Sequence, residues 1–219
     1  MMADTERGHF ITLEGGEGVG KSTLQRALAK RLEAIGVEVV TTREPGGSPL
    51  AELVRALALH PPDGEQWSPM AEALLMNAAR SDHLDRVIRP ALQGGKWVIC
   101  DRFLDSTRVY QSVKGGVSLD LLKTFEAPVI GDTWPELTFV LDAPLSATES
   151  RRRSRGGALD SFESRAVEFH TDVRTAFLDI VRSEPERCRL LDASVDADLV
   201  ADAAWLDIQA IMTQQMSAP

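Results

Sequence analysis

The chain has one tyrosine, two cysteines and four histidines among 219 residues, and aromatic residues make up only 5% of it. Each shortage excludes something. Cys100 and Cys188 lie in apolar segments without C-x-x-C spacing. That excludes a zinc site or a disulfide framework and suggests a reduced, cytoplasmic protein. No histidine stands at metal-ligand spacing from another. No apolar run approaches the ~18 residues of a membrane span. The first nine residues are polar and mixed in charge, so no signal peptide is expected. Cations are also short: 24 Lys and Arg against 33 Asp and Glu leave a net charge of −9. A general binder of nucleic-acid polymers needs clustered cations to release counterions, so none is expected. The lone asparagine, Asn77, is followed by alanine, and the Asn-Lys-x-Asp run with which GTPase switches read guanine is missing.

What is present suits one α/β domain over residues 1–219, with 43% hydrophobic residues for its core. Short apolar runs at Phe10–Glu14, Val37–Thr42, Trp97–Asp101, Leu137–Asp142 and Arg189–Asp192 read as strands buried on both faces of a parallel sheet. Helical patterns lie between them at Thr23–Ile35, Pro49–Leu59, Ser68–Gln93, Leu119–Phe125, Ser146–Arg153, Phe162–Ser183 and Asp196–Met212. Such alternation predicts right-handed βαβ units and a three-layer α/β P-loop NTPase fold with a five-stranded parallel sheet. Ligands of such sheets bind beyond the carboxyl ends of the strands.

The first strand runs into Gly15-Gly16-Glu17-Gly18-Val19-Gly20-Lys21-Ser22, followed by Thr23. This fits G-x-x-x-x-G-K-[ST], the P-loop, and sits between a strand and a helix as a P-loop must. Its backbone N–H groups form an anion nest, Lys21 reaches the β- and γ-phosphates of ATP, and the Ser22 hydroxyl can ligate Mg²⁺. Glu17 is unusual there, either a solvated loop acid or a contact to a substrate hydroxyl or to metal-bound water.

The second strand ends in Thr42-Arg43-Glu44-Pro45-Gly46-Gly47, a tight turn with Arg43 at the ligand edge and Arg55 in the next helix. Each arginine can also be read as half of a surface ion pair. The third strand ends in Asp101-Arg102. An acid there is the Walker-B arrangement for Mg²⁺, and the Arg102 guanidinium can take two phosphate oxygens at once. Thr107, Tyr110 and Gln111 follow at helical spacing; Gln111 can read a base edge, and Tyr110 is either core or site. Arg80 falls on the exposed stripe of the long helix. After the fourth strand, Arg151-Arg152-Arg153-Ser154-Arg155-Gly156-Gly157 reads as a solvated face, a nucleic-acid patch or a hinged lid at about residues 150–163. The acidic whole favours the lid, which would bring an arginine to the transferring phosphoryl group and expel water.

These residues together closely resemble bacterial thymidylate kinase over about residues 9–210. The resemblance is carried by residues 14–23, by 42–47, by Ala78-Ala79-Arg80, by residues 87–92, by Asp101-Arg102-Phe103 with Ser106-Thr107 and Tyr110-Gln111, and by the lid. It implies transfer of the γ-phosphoryl of ATP to thymidine 5′-monophosphate (dTMP), with Mg²⁺, in a homodimer. It places Arg102 on the acceptor phosphate, and Glu17 near that phosphate and the sugar hydroxyl. Arg80, Thr107 and Gln111 fall around thymine, and Tyr110 where it disfavours a 2′-hydroxyl. It also puts the catalytic arginine in the lid, at Arg155 or else at Arg153 or Arg151. The family usually carries Phe where this chain has Met76, which covers a base with less shape selectivity. It usually has Gly at Ser112 and Arg at Ser161. The alternative is a nucleoside-monophosphate or deoxynucleoside kinase with another acceptor.

Overall fold

The computed structural model describes residues 7–62, 65–113, 116–148 and 166–216. Its centre is a wholly parallel five-stranded sheet in the order β2-β3-β1-β4-β5. The strands are β1 (Phe10–Glu14), β2 (Val39–Arg43), β3 (Trp97–Asp101), β4 (Leu137–Asp142) and β5 (Cys188–Asp192). The three inner strands are buried on both faces, as their continuous apolar runs require. The edge strands β2 and β5 are not: every residue of β2 and three of the five in β5 are exposed or half-exposed. An edge strand has one neighbour and only partial helix cover, so uniform burial was too strong an expectation for these two.

Helices flank both faces: α1 (Lys21–Ala34), α2 (Pro49–Leu59), α3 (Pro69–His83), α4 (Arg89–Gln93), α5 (Leu104–Ser112), α6 (Leu119–Ile130), α7 (Val167–Ser183) and α8 (Ala197–Met216). Ser48, Ser68 and Ser118 cap α2, α3 and α6 through their hydroxyls. The single helix expected over Ser68–Gln93 is instead α3 and α4 joined by a π-helical turn, Leu84–Ile88. Pro90 has no N–H to give Arg86, and the widened turn absorbs that loss. α6 runs past Phe125 to Ile130 because burial of Ile130 outweighs the cost of Pro128. Residues 145–148 are helical, while the rest of the helix expected to Arg153, and all of the lid, lie outside the described residues.

The pleat of β1 divides the core. Ile11 and Leu13 face α1 and α8 and pack with Leu28, Leu32, Ala204 and Ile208. Phe10 faces the opposite layer, meeting Phe103 edge-on at 4.9 Å between centroids. Thr12 also points to that layer and bonds Thr138 Oγ1 at 2.8 Å across the sheet.

Behind that pair runs a buried chain of charges. Both Arg187 terminal nitrogens donate to Asp105, each at 2.8 Å, and Arg187 Nη1 also reaches Thr138 Oγ1. Arg108 donates to Glu126 and Glu184, each at 2.9 Å. The cluster ties α5 to α6, to the end of α7 and to the segment entering β5. Since Asp105 has no exposed surface, its removal takes from Arg187 and Arg108 their one wholly buried shared carboxylate and leaves Arg187 only Glu184 and Thr138. Asp105→Ala should therefore lower unfolding stability by about 3–5 kcal/mol, read by urea denaturation. A loss below about 1 kcal/mol, the surface-pair range, would show that the cluster does not anchor α5.

Candidate active site

The P-loop conformation is dictated at its first residue. Gly15 has φ 127°, and a Cβ there would stand 2.4 Å from the Leu141 carbonyl oxygen of neighbouring β4. The loop delivers the chain to α1 at Gly20, which has a left-handed backbone and no capping side chain. No acidic residue lies in the first turn of α1. Its N–H groups and positive dipole end are thereby left for an anion. Lys21 Nζ folds back onto the carbonyls of Gly15 and Gly16 at 3.0 and 2.8 Å. Burial, and then the nearby Arg102 charge, lower the Lys21 ammonium to about 8. Val19 contributes only backbone, because its side chain is packed in the core.

Ser22 Oγ donates to Asp101 Oδ2 at 2.8 Å. Two hard oxygen donors side by side at the phosphate loop fit Mg²⁺, which takes one or two protein oxygens and completes its shell with water and phosphate. No cluster of three or more His, Cys, Asp or Glu suited to a metal occurs among the described residues. A purely protein-ligated metal is not what this chemistry requires.

At the end of β3, Arg102 has φ 69°, a left-handed backbone in a residue that is not glycine. The turn is held by Arg102 N–H donating to the Leu13 carbonyl at 2.9 Å. It sends the guanidinium back over the P-loop. Nη1 donates to the Gly15 carbonyl and to Ser106 Oγ, and Nη2 to Glu17 Oε1 at 2.7 Å and Tyr110 Oη at 3.1 Å. Burial works against this cation, but Glu17 leads the groups that hold its pKa above the ordinary value. Tyr110 turns out to be both core and site. Its ring packs near Phe169 and Phe177, while its hydroxyl donates to Glu17 Oε1 at 3.2 Å.

Arg80 is not on an exposed stripe; it is only 2% exposed. Its Nε donates to Glu44 Oε2 at 2.8 Å, and its Nη2 to the Phe103 carbonyl and Thr107 Oγ1, each at 3.0 Å. Glu44 also meets His83 Nδ1 at 3.1 Å. A charged helix residue was read outward because helical spacing alone does not show that a carboxylate from the β2 turn waits inside.

Two grooves result. One is lined by Met76, Arg80, Thr107, Tyr110 and Gln111 beside Phe103. The other is lined by Lys21, Ser22, Thr23, Arg43 and Asp101. Glu17, Glu44, Arg55 and Arg102 line both. Arg43 pairs with Glu52 and stays on the phosphate-loop side only, whereas Arg55, bonded to the Pro45 carbonyl at 2.9 Å, stands at the junction. Arg153 and Arg155 lie outside the described residues.

Sequence reading passed over Glu14 and Glu44. Glu14 closes an otherwise apolar strand, which is the signal that could have marked it. It accepts from the N–H groups of Phe103 and Ser106 and from Ser106 Oγ, so it seats the start of α5.

A P-loop at the end of a parallel strand, a Ser-Asp oxygen pair and a second groove rich in arginine define a P-loop nucleotide phosphotransferase. The comparisons narrow that class. A thymidylate kinase family model matches residues 13–204. The chain is 49% identical over 197 residues to a thymidylate kinase of Caulobacter vibrioides, covering 90% of this chain and 94% of that one. It is 50% identical over 201 residues to one from Rhodopseudomonas palustris, covering 91% and 87%. The crystal structure of thymidylate kinase from Ehrlichia chaffeensis superposes with a TM-score of 0.75 at 34% identity, over 93% of this chain and 99% of that one. The chain belongs to the thymidylate kinase family.

One consequence concerns pH. Burial, with Asp105 adding to it, pushes the Glu14 carboxyl from 4.5 up to about 7. Between those values the native state holds a proton that the unfolded chain has released. Stability therefore falls as pH rises through this window, by about 3 kcal/mol in all. Glu14→Gln should abolish this part of the slope when unfolding free energies at pH 5 and pH 8 are compared. A variant with the wild-type slope would show that Glu14 is ionised in the native state throughout.

Proposed function

We infer that this protein transfers the γ-phosphoryl of ATP to dTMP, giving the diphosphate in dTTP synthesis. The observation that carries the reading is the meeting of the two grooves at Arg102 and Glu17. A donor seated on the P-loop and an acceptor in the second groove would bring their phosphates together at that point.

The assignments follow from position. The P-loop N–H groups, from Gly15 to Thr23, cradle the donor phosphates, and Lys21 gives up its carbonyl partners for the β- and γ-oxygens. Ser22 and Asp101 hold Mg²⁺, which when bound supplies charge neutralisation to the donor phosphates. Arg102 clamps the acceptor phosphate, with Arg55 beside it, while Glu17 and Tyr110 hold the guanidinium plane and approach the sugar. Met76, Arg80, Thr107 and Gln111 surround the base. The acceptor oxygen needs no general base, because the second pKa of a phosphate monoester lies near ~6. Positioning and charge stabilisation suffice. Arg155 or Arg153, brought in by closure of the lid, supplies the cation for the transferring group.

A homodimer belongs to the same reading. Leu50, Leu53 and Leu57 of α2 and Leu74 of α3 are all exposed, and the two helices pack side by side, so they present apolar surface suited to a second copy. The buried free thiols of Cys100 and Cys188 agree with a cytoplasmic setting. No helix among the described residues is long and apolar enough to cross a membrane.

Steady-state assays with dTMP, dUMP, dGMP, AMP and CMP test the assignment; dTMP should rank among the best acceptors, and its absence from them would overturn it. Lys21→Ala should lower kcat by about 10³-fold with little change in acceptor binding. Arg102→Ala should raise the acceptor KM by about tenfold or more, the worth of a charged hydrogen bond. An unchanged acceptor KM would remove Arg102 from the clamp.

A further inference from the structure

Gln111 lines the base groove and is only 2% exposed. Its Nε2 donates to Glu72 Oε2 of α3 at 3.2 Å. Glu72 is itself buried and does not line the groove. A carboxylate can only accept, so chemistry fixes which end of the Gln111 amide faces it. The NH₂ end is drawn to Glu72, and the carbonyl oxygen, which has no hydrogen-bond partner among the described residues, is left for the groove. Opposite in character is Arg80, whose Nη1 has a single long contact, 3.5 Å to Asn77 Oδ1, among the described residues. The groove thus offers a donor at Arg80 and an acceptor at Gln111.

We propose that Glu72 is a specificity-determining positioning residue: it locks the Gln111 amide with its carbonyl toward the base and so selects pyrimidines that carry N3–H. Thymine and uracil offer O4 as an acceptor and N3–H as a donor, which matches this pair. Cytosine offers a donor amine and a bare N3, which opposes it at both points. A freely turning amide would accept either base. Cytosine is thus rejected by a carboxylate that never meets it, since turning the amide would set the Gln111 carbonyl against Glu72.

The inference rests on dTMP being the acceptor. Glu72 is also an acid in the first turn of α3, where it favours the helix dipole. Loss of that role would move stability, or the KM of every nucleotide alike, but not their ratio. The test is Glu72→Gln, whose own amide bonds Gln111 in either orientation, assayed with dTMP, dUMP and dCMP. The dTMP-to-dCMP ratio of kcat/KM should fall by about tenfold or more through KM, with kcat for dTMP within about twofold of wild type. Glu72→Asp, which keeps the acceptor, should recover part of the ratio. Should neither variant fold, glutamine-labelled wild-type protein gives a second readout. The Gln111 side-chain amide protons should exchange about tenfold or more slowly than those of exposed Gln209. Wild-type turnover of dTMP with an unchanged ratio in Glu72→Gln, or equal loss for all three nucleotides, overturns the proposal alone. So does unprotected exchange at Gln111. A wild-type protein that does not phosphorylate dTMP overturns the assigned reaction, and the proposal falls with it.

Discussion

One guanidinium organises the ligand end of this molecule. Arg102 leaves β3 in a left-handed backbone, held by a hydrogen bond from its N–H to Leu13. Its side chain then bridges the P-loop, at Gly15 and Glu17, to α5, at Ser106 and Tyr110. The two halves of the site are joined through this residue. The strain of a left-handed arginine, about 1 kcal/mol or more, is tolerated because hydrogen bonds to its N–H, its carbonyl and its guanidinium over-determine the turn. Its charge is balanced by the Glu17 carboxylate, which together with the Tyr110 hydroxyl fixes the guanidinium plane.

The same logic recurs around it. Arg80 rests on Glu44, Arg187 on Asp105, and Arg108 on Glu126 and Glu184. Buried guanidinium groups paired with buried carboxylates contribute little net stability compared with an apolar core, but they are costly to break. Here they fix α5, the helix carrying Thr107, Tyr110 and Gln111, from three sides. Glu14 adds a fourth tie at its N-terminus. Side chains that line a binding groove must hold their angles, and these ties hold the helix that bears them.

Much of this was legible from the residues. The P-loop, the Asp101-Arg102 pair and the five strands follow from local signals: glycine spacing, apolar runs and strand ends. Four of the strand and helix spans agree at both ends with expectation, namely β1, β3, β4 and α2. Most of the failures were non-local. Arg80 looked exposed because its partner, Glu44, is far away in sequence. The half-open edge strands depend on neighbours that no window of residues contains, whereas the π turn has a local cause, Pro90, that helical periodicity does not register. Glu72 carries no local mark, since its meaning depends on Gln111 crossing from another helix.

The sequence by itself determined the class of chemistry, because a phosphate loop is a local object. Its glycines, lysine and serine are contiguous, and backbone geometry does the rest. It also determined the sheet, because buried parallel strands need uninterrupted apolar runs. Only the tertiary structure decided how the charged groups pair, which arginines are interior, and which way the amide of Gln111 faces. Those outcomes depend on desolvation and on partners brought together from distant elements. Burial converts an ordinary arginine or glutamine into a directed one by making every unpaired polar atom costly.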